Sequence, residues 1–155
     1  MPYVVTGLDA DPYRPLFGLD EAALAGHGVV RMTVDSKPGF PCRISLEDAE
    51  PGETVLLLNY EHLAVDTPYR ARHAIFVRES ALAPARVRDT LPPALAVRLL
   101  AIRAYDAAGM MIDAEVIEGA QAVPLIERYL ENPRAAYLHA HNARRGCFAA
   151  LIERA

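Results

Sequence analysis

The chain has 155 residues, 52% hydrophobic and 23% charged, with a net charge of −4. This length and composition suit one domain, residues 1–155, with a buried core, and exclude a disordered chain. The charge excludes a basic footprint for nucleic acid, and no apolar run approaches the ~20 residues of a bilayer span.

The first residues, Met1 to Gly7, show neither a charged n-region nor an apolar h-region, so the expected compartment is the cytoplasm. Tyr3 to Leu8 alternates weakly and reads as an edge strand. Asp20 is placed to cap a short helix over Glu21 to Ala25, stopped by Gly26. Val29 to Val34 reads as a strand. Pro38-Gly39-Phe40-Pro41 is a turn that delivers Cys42. In Cys42-Arg43-Ile44-Ser45-Leu46 the apolar residues alternate, which predicts a strand with Arg43 and Ser45 facing away from the core.

Glu50-Pro51-Gly52-Glu53 is a tight turn. The run Thr54 to Tyr60 is apolar on both faces, so Val55, Leu56, Leu57 and Leu58 are all expected to be buried in a central strand. His73 to Arg78 is a further strand. The span from Ser80 to Pro93 reads as a connection with a helical turn. Arg98 to Tyr105 and Met110 to Ile117 are strands joined by the hairpin turn Asp106-Ala107-Ala108-Gly109. Pro124 opens a helix through Leu130, which Asn132-Pro133 ends. The expected fold is α+β: a mostly antiparallel sheet, curled or partly closed, with two or three short helices.

The last stretch, Tyr137 to Cys147, concentrates the chemically capable groups. As a strand it sets Tyr137, His139 and His141 on one face and Leu138 and Ala140 on the other. A polar turn, Asn142 to Gly146, and a return strand from Cys147 to Ile152 follow. Of the 16 basic residues 15 are arginines, which the codon bias of a GC-rich genome explains, so only particular arginines carry weight. A polar pocket is expected from His139, His141, Asn142 and Arg144, joined by Arg43, Tyr60 and Arg70. It would hold a small carboxylate or phosphate. A histidine could then act as an acid or base near neutral pH.

Three other readings stand beside it. His139-x-His141 could bind a metal if Glu61, His62, Cys42 or Asp106 supplied a third ligand. The polar cluster could instead line a homodimer interface in a non-catalytic interaction module. Cys42 and Cys147 each lie beside an arginine, as a nucleophile would. Their apolar alternation argues instead for reduced, buried, structural thiols. No G-x-S-x-G, P-loop or G-x-G-x-x-G motif is present, and no cofactor is indicated.

Several blocks resemble a bacterial family catalogued as a domain of unknown function, DUF1203. They are Pro41-Cys42-Arg43-Ile44-Ser45-Leu46-Glu47-Asp48, Leu57-Leu58-Asn59-Tyr60-Glu61-His62, Pro68-Tyr69-Arg70-Ala71 and Arg103-Ala104-Tyr105-Asp106 with Gly109-Met110-Met111. The most specific is His139-Ala140-His141-Asn142-Ala143-Arg144-Arg145-Gly146-Cys147. The resemblance implies a fold and a bacterial origin, and brings no activity, substrate or cofactor.

Overall fold

A computed structural model describes residues 1–155. The fold is α+β, with nine strands in two open antiparallel sheets and three short helices. The larger sheet holds β1 (Tyr3–Thr6), β5 (Arg86–Arg88), β6 (Leu99–Tyr105), β7 (Met111–Glu118), β8 (Tyr137–Asn142) and β9 (Phe148–Arg154). Its strand order is β5-β1-β9-β8-β6-β7. The smaller sheet is β2 (Val30–Thr33), β3 (Thr54–Leu63) and β4 (Ala71–Arg78), with β3 in the middle.

One face of the large sheet is apolar. Leu100, Ile102 and Ala104 of β6 alternate inward and meet Leu138 and Ala140 of β8 and Ala150 and Ile152 of β9. Helix α3 (Val123–Glu131) covers them with Leu125, Ile126, Tyr129 and Leu130, whose spacing puts them on one helical face. Pro124 sits in its first turn, and Asn132, before Pro133, is extended and ends it. The other helices are shorter, of six and four residues. Helix α1 (Glu21–Gly26) starts where the Asp20 carboxylate accepts the Ala23 N–H, and α2 (Pro93–Ala96) adds Ala94 and Leu95 to the large core. A second core joins Leu56, Leu58, Ile75 and Val77 of the small sheet to Leu24 of α1 and to Cys42 and Ile44.

The expected α+β class, with antiparallel pairing and short helices, is what the structure has, its strands divided between two sheets that are not closed. Three expectations are corrected. β1 lies between β5 and β9, so the edge position falls to β5, within the span read as a connection. Cys42 to Leu46 is not a strand: Leu46 has φ 56° and its N–H returns to the Cys42 carbonyl, closing a tight turn. Cys42, Ile44 and Leu46 are buried as the alternation implied, but the turn buries Arg43 with them. Finally, Leu57 is only half-buried, because its face of β3 opens onto a cleft, while Val55, Leu56 and Leu58 are buried.

That difference sets one expectation. Leu56→Ala should cost about 2–5 kcal/mol, as a large-to-small change in a closed core. Leu57→Ala should cost clearly less, since water already reaches that site. Urea denaturation of both variants checks the order, and equal losses would place Leu57 in the core after all.

Candidate functional site

Local rules shape the β8–β9 hairpin. Gly146 takes φ 81°, a left-handed conformation that suits glycine, and its N–H bonds the Asn142 carbonyl at 2.7 Å. The loop therefore turns tightly. It leaves Asn142, Arg144, Arg145 and Cys147 along one wall of a cleft of about 550 Å³. Met32, Leu57 and Phe76 of the small sheet form the apolar wall, and Leu99 and Glu118 of the large sheet, with Arg98 in the turn before β6, contribute a third side. The volume falls within the usual range for small-molecule sites, and so does the mixture of apolar wall and few polar groups.

Charge in this cleft is unbalanced. Arg43, Arg98, Arg144 and Arg145 line it, and Glu118 is its only carboxylate residue. Arg98 is neutralised by two bonds to Asp48, at 2.6 and 2.9 Å. Arg144 and Arg145 are exposed and form no ion pair or side-chain hydrogen bond. Arg43 is only 2% exposed. Its Nε donates to the Phe148 carbonyl at 2.7 Å, Nη1 to the Pro41 carbonyl at 2.7 Å and Nη2 to Cys147 Sγ at 2.9 Å. None of these partners is a carboxylate. Burial pulls the Arg43 pKa below the ordinary arginine value, opposed by the nearby Cys147 sulfur.

Beside the cleft lies a second cluster. His139 and His141 share a face of β8, as alternation requires, and are 4% and 0% exposed. His62, from the end of β3, meets them with ring centroids 6.0 and 4.8 Å away. Phe148 packs against all three rings, at 5.0–5.9 Å, and against Tyr60 at 5.6 Å. The two sheets meet here.

His141 Nδ1 donates to the Gly146 carbonyl at 3.0 Å, which leaves Nε2 to accept from Arg103 Nη1 at 3.5 Å. That is the neutral tautomer. Burial, with the charge of Arg103, pushes the pKa down to about 4 at His62 and about 3 at His139. At His141 burial also dominates, and the pKa falls to about 3 although the Gly146 carbonyl opposes it. Both ring nitrogens of His62 and Nδ1 of His139 are buried without a partner.

The residues expected to form one pocket thus divide. Arg43, Asn142 and Arg144 line the cleft. His139, His141 and Tyr60 sit in the aromatic cluster next to it. Arg70 is at the surface, paired with Glu61 at 3.0 Å. Of the third ligands considered for a metal, His62 alone reaches the histidines. Glu61 pairs with Arg70, Asp106 accepts N–H groups in its own hairpin, and Cys42 lies in the turn before Arg43. No group of three or more His, Cys, Asp or Glu has the geometry of a metal site.

Cys147 as a cleft residue, and Arg98, Arg145 and His62 as neighbours, were not part of the expected site. Arg145 and Cys147 could have been found, since they close the same hairpin as Asn142 and Arg144. Arg98 reaches the site from the turn before β6, and His62 through packing of one sheet against the other.

A family model described as "Protein of unknown function (DUF1203)" matches residues 39–154. No curated protein and no solved structure matches the chain. The cleft residues Arg43, Asn142 and Cys147 and all three clustered histidines fall inside the matched span, and on that match the chain belongs to the DUF1203 family.

Proposed function

We propose that the cleft binds a small anionic ligand, a carboxylate or a phosphate. The observation that carries this reading is the charge imbalance. Arg43, Arg144 and Arg145 face one cleft without a carboxylate partner, and Arg43 is buried. A buried cation without a counter-charge is costly, and an anion in the cleft would supply the missing charge. Arg144 and Arg145, free at the surface, can draw the ligand in and fork onto it. Met32, Leu57 and Phe76 would take its apolar part.

Thermal and chemical denaturation in inorganic phosphate and in short dicarboxylates tests this. At about a hundredfold excess over the dissociation constant, a ligand should add about 2.7 kcal/mol. The Arg144→Ala/Arg145→Ala double variant should lose most of that gain, and rising salt should weaken it in the wild type. His139→Gln should keep it, because His139 lies outside the cleft. Equal stabilisation of wild type and double variant would end the proposal.

A further inference from the structure

The two cysteines occupy different surroundings. Cys42 belongs to the apolar core around Ile44 and Leu56, and its sulfur meets backbone N–H groups of Ile44, Ser45 and Arg78 at 3.3–3.5 Å. Cys147 belongs to none of the three apolar cores. Its sulfur receives Arg43 Nη2 at 2.9 Å and Asn142 Nδ2 at 3.7 Å. It is 7% exposed, in the wall of the cleft.

Asn142 adds a second observation. It is only 9% exposed and lines the same cleft, and its Oδ1 is buried with no partner. A buried carbonyl oxygen without a donor calls for one. A small shift of the Asn142 side chain would bring that oxygen to an N–H group of a ligand seated beside Cys147. A sulfur next to a fixed cation, a free amide acceptor and two unpaired arginines together describe the partner: a small molecule with carboxylates, N–H groups and a sulfur for Cys147 to attack.

We propose that Cys147 is a reactive thiol that exchanges with small, carboxylate-bearing disulfides seated in the cleft. This rests on the reading of the cleft as an anion site. In the step, Cys147 Sγ attacks one sulfur of the ligand. A bond forms between Cys147 and that half, and the ligand's own S–S bond breaks. The electron pair of the broken bond stays on the departing sulfur, which leaves as a thiol with the proton that Cys147 gives up. Cys147 is oxidised to the mixed disulfide and the departing half is reduced, so no further oxidant is needed. Arg43 holds the sulfur in place and is the cationic neighbour that favours attack. Arg144 and Arg145 hold the carboxylates.

The test compares oxidised glutathione with neutral hydroxyethyl disulfide on the native full chain, with adducts located and timed by peptide mass spectrometry. Cys147 should carry the adduct and Cys42 should not. The charged disulfide should react roughly tenfold faster than the neutral one, and the Arg144→Ala/Arg145→Ala variant should bring the two rates together. Cys147→Ser and Cys147→Ala should form no adduct.

Adducts forming first on Cys42, or on Cys147 with no preference for the charged disulfide, would overturn the proposal. A wild type that phosphate stabilises but glutathione disulfide leaves unmodified would overturn the exchange alone. A wild type that neither phosphate nor a short dicarboxylate stabilises would overturn the anion reading beneath it.

Discussion

Lowering the pH from 7 to 4.5 is expected to destabilise the protein by several kcal/mol, with the histidine cluster as the cause. His139 and His141 are held at about 3 and His62 at about 4, against about 6.5 in the unfolded chain. Between these values the unfolded state binds protons that the folded state refuses. Stability therefore rises with pH across that window, is complete above about 7, and is lost as pH falls from 6.5 toward 3.

For a histidine as buried as His139 or His141 the loss at pH 4.5 is about 2–3 kcal/mol. The half-buried His62 adds to it in the same direction. The three rings are neighbours, so one proton hinders the next, and the total falls short of the sum. Urea titrations at pH 7 and 4.5 measure it. His139→Phe should fold at pH 7, where its neighbours are Tyr105, Tyr137 and Phe148, and should show a shallower pH dependence. Identical midpoints for the wild type at the two pH values would show that the histidines protonate freely in the fold.

Gly7→Ala should cost about 3 kcal/mol, the upper end for overpacking. A Cβ on Gly7 would stand 2.0 Å from the Ile44 carbonyl oxygen, 2.9 Å from its carbon and 3.1 Å from the Arg43 carbonyl oxygen. All three are backbone atoms, so no side chain can move aside. The contact matters because the chain after β1 rests on the turn that carries Arg43: the Leu8 N–H donates to the Arg43 carbonyl at 2.8 Å. Pushing the two apart would shift Arg43 relative to the Phe148 carbonyl and Cys147. The variant should lose ligand-dependent stabilisation together with stability. Gly26→Ala is the control. Nothing lies within 4 Å of its added Cβ, and alanine in the helix should be neutral or better. Similar melting temperatures for Gly7→Ala and wild type would mean that β1 and the turn are not in contact.

Most elements were legible because they obey local rules. The apolar run of β3, the Asp106–Gly109 turn, the Asp20 cap and the Pro124 start each need only a few neighbouring residues. The face shared by His139 and His141 follows from alternation alone. Arg43 shows where such reading stops. Alternation set it opposite Cys42 and Ile44, away from the core. A left-handed Leu46 closes the segment into a turn instead, and the partners that hold the guanidinium inside include residues 104 and 105 positions away. No local signal distinguishes a buried arginine of that kind from a solvated one. The division of the expected pocket has a similar origin. It depends on where β3 of one sheet meets β9 of the other, and pairing between sheets leaves no period in the sequence. Leu57 likewise looks like Leu56 and Leu58 until its face is known to border the cleft.

The neighbours of β1 in the large sheet carry a consequence for how the protein is made. β1 pairs on one side with β9, through Tyr3 opposite Arg154 and Thr6 opposite Leu151. A ribosome delivers β1 first and must wait for some 140 further residues before this partner exists. Until then β1 and β5 have no link to β8, and the wall of the cleft that holds Asn142 and Cys147 is not in place. Contacts this distant in sequence slow folding, because the long loop must close before they repay its entropy. Release of the nascent chain between Arg78 and Phe148 would leave the small sheet whole but the large one without β9, with open edges and an apolar face incompletely covered. Such chains would be caught by chaperones or proteases, so any molecule with a finished fold also has a finished cleft.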